Sequence, residues 1–154
     1  MAIQRVSVIV GTAAAALALA IAPADAACPY HVDDGDTITV IATGEVIRAR
    51  GFDTPETSYA RCEAERRLGA MATARLQALL CAPGADVAIE RGAAPELDRH
   101  KRTLAHVRVG GEDLAKLMVD EGWARPYNGS IKKGWCSRDS RDDLVPGPLP
   151  KREP

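Results

Sequence analysis

An α+β fold dominated by strands is predicted for this 154-residue chain by three observations. Short β-rich segments bounded by turn residues lie on both sides of a helical stripe. The stripe falls between the third and fourth of five such segments. A second, much shorter helical pattern follows the last of them. The arrangement suits a five-stranded barrel of OB type with the long helix covering one end, one option among several α+β layouts.

The N-terminus is set aside first. Met1 to Arg5 ends in a positive charge, Val6 to Ala22 is an alanine-rich apolar run, and Ala24-Asp25-Ala26 supplies small residues before a cut after Ala26. These are the three parts of a secretory signal peptide, residues 1–26. Pro23 closes the run, and alanine is too weakly apolar for an uncleaved anchor. Asp25 also occupies the place where a lipobox wants an apolar residue, so Cys28 is not expected to carry lipid. The mature chain is expected to be exported, periplasmic or secreted, with no membrane attachment after cleavage and as a monomer. Residues 27–141 make one domain with a real core. The Pro-rich segment 142–154 reads as a disordered tail.

His31 reads as a strand position. Thr37 to Ile41 is β-rich, and Ala42-Thr43-Gly44 turns the chain into a second strand from Glu45 to Phe52. Alternation places Arg48 and Arg50 on one face of that strand. Thr54-Pro55 ends it, because proline cannot donate to a ladder. Leu68, Ala72, Leu76 and Leu79 then recur at helical spacing, giving a helix from about Glu63 to Leu80 that Pro83-Gly84 stops. Val87 to Ile89 and Leu104 to Val109 read as strands, with His106 an ordinary strand position. Gly110-Gly111 is a turn, and Asp113 to Glu121 a short helix ended by Gly122.

The formal net charge is −1, which by itself does not announce a nucleic-acid binder. The distribution is uneven, however. Arg125, Lys132, Lys133, Arg138 and Arg141 face only Asp139 among acids in their segment, and phosphate partners respond to local fields. Cys28, Cys62, Cys81 and Cys136 form an even set with no Cys-x-x-Cys spacing, so two disulfides are expected rather than a metal site. An unbroken helix between Cys62 and Cys81 holds those two apart. That leaves Cys28–Cys81 with Cys62–Cys136, or Cys28–Cys62 with Cys81–Cys136; the first arrangement is preferred.

Three constellations bear on chemistry. Asp33-Asp34-Gly35-Asp36-Thr37 alone is a turn with solvated acids. Asp53-Thr54-Pro55-Glu56 alone is a turn or the start of a helix. Arg48 and Arg50 alone are exposed strand charges. Taken together and in order, with Glu65 and Gly69 on the helix and Asp98-Arg-x-x-Arg102-x-Leu-Ala beyond, they resemble the thermonuclease family of staphylococcal-nuclease-like domains. The likeness runs from Val32 to about Tyr127, and the Arg-Pro-Tyr ending and Trp135-Cys136 look like exported bacterial members.

That resemblance implies an OB-type barrel and calcium-dependent hydrolysis of DNA or RNA with little sequence preference. Matched motif by motif, Asp36 and Asp53 would ligate Ca2+ by carboxylate and Thr54 by its main-chain oxygen. Glu56 would position and deprotonate the attacking water. Arg48 and Arg102 would hold the phosphate, while His100 and Tyr127 would contact the nucleotide. The family's usual Tyr-Gly before the second arginine is here His100-Lys101, and lysine takes a positive φ less cheaply than glycine. The competing class is a non-catalytic OB-type nucleic-acid-binding module. Retention of Asp36, Asp53 and Glu56 favours the enzyme, since a pure binder does not require them.

Overall fold

A computed structural model describes residues 27–136; the expected signal segment, the Pro-rich tail and Arg138, Asp139 and Arg141 lie outside the described residues. Strands β1 (Tyr30–Asp34), β2 (Thr37–Val40) and β3 (Glu45–Ala49) form an antiparallel meander. Its inner row is set by register. Val32 faces Ile38 and Ile38 faces Ile47, so period-2 alternation stacks three apolar side chains on one face.

The chain then pivots. β3 stops at Ala49, and β4 (Gly51–Asp53) starts after a break at Arg50, with Gly51 at φ 93°. A Cβ on Gly51 would stand 2.8 Å from Ala115, so glycine serves both the dihedral and the close approach. The single strand expected from Glu45 to Phe52 is therefore two, and the expectation that Arg48 and Arg50 share a face fails with it. Arg48 turns inward and is buried; the Arg50 side chain turns outward and pairs with Glu96, while its amide still bonds to β6. Phe52 enters the core, and β4 pairs with β8 (Arg125–Tyr127).

Helix α1 (Glu63–Leu80) packs on β1, burying Ala72 and Leu76 of the predicted stripe; its buried face also takes Gly69 and Leu80, while Leu68 and Leu79 are half-buried. β5 (Val87–Glu90) pairs antiparallel with β6 (Thr103–Val109), and a two-residue strand β7 (Glu112–Asp113) pairs with β6. Helix α2 (Leu114–Asp120) is capped by Asp113, whose carboxylate accepts from the Ala115 amide at 2.7 Å, and it buries Leu114 and Met118. β6 runs parallel to β3, giving the order β1-β2-β3-β6-β5. No ladder joins β1 to β5 among the described residues, as befits a partly open barrel.

The disulfides are Cys28–Cys81 and Cys62–Cys136, with Cα separations of 5.0 and 6.0 Å. Cys62 and Cys81 flank opposite ends of α1, which keeps them from pairing with each other. One bridge ties β1's approach to the end of α1, and the other ties the start of α1 to Cys136 in the segment that follows β8.

Candidate functional site

The acids converge on one arginine. Asp36 enters at the β1–β2 turn and Asp53 at the end of β4, and both are about 5% exposed. Arg48 Nη2 lies 2.8 Å from Asp36 Oδ2 and 3.7 Å from Asp53 Oδ1. The same guanidinium donates to the carbonyls of Ala49 and Phe52, so its fork pins the pivot between β3 and β4. A buried arginine of this kind compensates carboxylates that would otherwise be costly to desolvate. Burial pushes the Asp36 carboxyl above the usual range, with the charges of Arg48 and Lys132 opposing.

Arg102 reaches this centre through a relay. Its Nε and Nη2 hold Asp98 Oδ2 at 2.8 and 2.7 Å. Its Nη1 donates to Thr37 Oγ1 at 3.1 Å, and that hydroxyl donates to Asp36 Oδ1 at 3.1 Å. The turn before it is a three-residue hairpin loop. The Lys101 amide donates to the Asp98 carbonyl at 2.9 Å, and Asp98 Oδ1 accepts from the amides of His100 and Arg102. Lys101 then takes φ 63°, the left-handed position such loops reserve for glycine. Lys101→Gly is accordingly expected to stabilise the chain by about 0.5–1 kcal/mol, left-handed strain relieved less the extra freedom of unfolded glycine. Urea denaturation checks this; a lower midpoint would refute the strain.

Glu56 follows Pro55 at the mouth of the site. Its backbone is gripped by α1, where Gly69 leaves no room for a Cβ: one would stand 2.6 Å from the Glu56 carbonyl oxygen. Asp34 shares a hydrogen bond with Glu56. Burial, with the charge of Asp36 and the Glu56 bond assisting, pushes the Asp34 carboxyl up to about 7. Burial also pushes Glu56 upward, but the charge and hydrogen bond of Lys132, with help from Asp34, outweigh it and hold Glu56 below the usual range. A proton shared by the pair therefore favours Asp34 over Glu56.

Lys132, Trp135, Asp34 and Thr37 belong to this centre without having been singled out as site residues from sequence. Lys132 Nζ lies 2.6 Å from Asp53 Oδ1 and 3.2 Å from Glu56 Oε1. Trp135 Nε1 donates to Asp53 Oδ2 at 3.3 Å. The Lys132-Lys133 run and the neighbouring tryptophan were visible, but no spacing rule links them to Asp53. An open pocket between Asp53, Glu56, Arg61, Glu65 and Lys133 leads to these groups. Cys62, Glu65 and Cys136 also crowd together, but both sulfurs are committed to a disulfide and offer a metal no thiolate.

Asp36, Asp53, Thr54 and Glu56 are thereby brought together with Arg48, while Arg102 joins at one remove. His100 is exposed on its turn, its Nε2 accepting from Arg99 at 3.0 Å, apart from the acids. Tyr127 is half-buried on β8 opposite Gly51, at the far end of the ladder whose other end pairs Arg125 with Asp53. The donor set suits Ca2+, a hard ion that favours oxygen ligands and irregular geometry. Two observations support the fit. Cationic nitrogens of Arg48 and Lys132 already crowd both aspartates, and the buried Asp53 Oδ1 has ion-pair contacts but no hydrogen-bond partner.

A protein-family model described as staphylococcal nuclease homologue matches residues 46–142. No curated protein matches the chain.

Proposed function

The chain belongs to the staphylococcal nuclease homologue family, and from that premise we propose a calcium-dependent endonuclease that hydrolyses phosphodiesters of DNA or RNA with little sequence preference. The observation that carries this reading is the convergence of Asp36 and Asp53 on one buried guanidinium with Glu56 beside them. A binding module would gain nothing from desolvating two carboxylates. Export and a nucleic-acid substrate belong to the same proposal.

Asp36, Asp53 and the Thr54 carbonyl would hold Ca2+. When bound, the ion polarises the phosphate and gathers nucleophile and substrate. Glu56, kept ionised, takes the proton of the attacking water through its carboxylate. Arg48 and Arg102 supply the fixed positive forks for charge growing on the phosphoryl oxygens. Thr37 orients Arg102 towards Asp36. Tyr127 and His100 are candidates for nucleotide contact, His100 from a turn that opens to solvent.

The test is hydrolysis of single- and double-stranded DNA and of RNA by the disulfide-bonded chain. Cleavage in millimolar Ca2+ is expected, and its loss in chelator with recovery on re-addition. Substrate retention without cleavage in Ca2+ would instead identify the binding module.

A further inference from the structure

We propose that Lys132 is an exchangeable internal cation: its ammonium neutralises Asp53 and Glu56 until Ca2+ displaces it, and the strap that carries it leaves the site in the exchange. This rests on the calcium reading above.

Both oxygens of Asp53 face one strap, although Oδ1 also lies 3.7 Å from Arg48 Nη2. Lys132 Nζ holds Oδ1 at 2.6 Å, and Trp135 Nε1, three residues on, holds Oδ2 at 3.3 Å. Asp53 Oδ1 is buried and accepts no hydrogen bond, so its compensation is ionic, and a second cation at that oxygen competes with the Lys132 ammonium. The strap, residues 128–135, belongs to no helix or strand. Ile131 on it is 93% exposed, so apolar packing does not hold the Lys132 portion down. Charge holds it, and the charge in question is the one Ca2+ would claim.

The far end of the strap is fastened. Cys136 is bonded to Cys62 at the start of α1, and the Arg125 guanidinium lies 3.8 Å from the Trp135 ring centre. Lys132 stands four residues before Cys136, a tether of at most ~14 Å when extended. A displaced ammonium therefore stays tethered near Cys136, in the neighbourhood of the pocket that Arg61 and Lys133 also line. Calcium would exchange one cation for another at the acids and add the released charge to a phosphate-attracting rim.

Calcium titration by calorimetry of the mature, disulfide-bonded chain and of Lys132→Gln tests this. The variant is expected to bind Ca2+ at least tenfold more tightly. Lys133→Gln removes the same charge from the same pocket without the contact, and a change under threefold is expected there. In a Trp123→Phe background, Ca2+ should red-shift Trp135 emission with a midpoint at the calorimetric Kd. Equal or weaker affinity in Lys132→Gln, or equal tightening in Lys133→Gln, overturns the exchange and leaves the calcium site standing. Absence of Ca2+ binding in every form overturns the calcium reading and the exchange together. Should Lys132→Gln fold poorly, Trp135→Phe, which frees the other Asp53 oxygen, is expected to tighten Ca2+ binding as well, and unchanged affinity there counts against the exchange.

Discussion

Replacing Glu56 with glutamine is expected to lower kcat by ~10²–10⁴-fold, the usual contribution of a general base, with KM and calcium affinity near those of the parent. Glutamine preserves shape and one acceptor oxygen but cannot take the water's proton. At ~1.4 kcal/mol per decade this is a barrier increase of about 3–5.5 kcal/mol. Lys132, with help from Asp34, holds Glu56 below the usual range in the metal-free site. The charge of bound Ca2+ would take over that role once Lys132 is displaced, so the parent holds the base form at neutral pH. Single-turnover cleavage with saturating Ca2+ separates this loss from weakened binding. Parent-like turnover in the variant would remove Glu56 from the chemistry.

The second large effect is expected at a residue with no side chain. Gly69→Ala should destabilise the domain by about 1–3 kcal/mol, as overpacking of a filled interior does. The new methyl would meet backbone: the Glu56 carbonyl oxygen at 2.6 Å, and the Glu56 carbonyl carbon and Pro55 carbonyl oxygen each at 2.8 Å. Thr54 and Pro55 are fully buried, which leaves that segment nowhere to retreat. Helix propensity alone predicts the opposite sign, since alanine gains up to ~1 kcal/mol over glycine within a helix. Denaturant midpoints therefore decide between collision and propensity. The same displacement moves Glu56, the proposed base, and a ~1 Å misplacement of such a group would cost ~10²-fold in rate.

Much of the site was legible because its parts are local. Asp-Gly-Asp-Thr is a turn that delivers an acid to a strand, and Asp-Thr-Pro-Glu ends a strand where proline forbids another ladder bond. Helix α1 was legible in its stripe and in the glycine that follows it. The separate roles of Arg48 and Arg50 were not, because they depend on one dihedral at Gly51 that turns an alternating strand into two. Spacing favoured Arg48, but the physical distinction is the break. Lys132 was beyond local reading altogether. It meets Asp53 across a sequence distance that is closed by the Cys62–Cys136 bond and by packing of Trp135. Lys101 was legible in reverse: the sequence marked a costly place for lysine, and the left-handed dihedral is there.

The parallel ladder between β3 and β6 also sets when the site comes into being. It pairs Ile47 with Thr103 and Ala49 with Ala105, and the Arg50 amide donates to the Ala105 carbonyl at 2.9 Å. All four acids and Arg48 are synthesised well before residue 105. At ~5–20 residues per second, the chain carries them for ~2–10 s with no β6 to brace the pivot. Pairings this distant in sequence are also late in folding, because loop closure precedes any reward. In the nuclease proposed above, the acids would therefore lack their brace while the message is still being read, and the site would be assembled only once β6 is made.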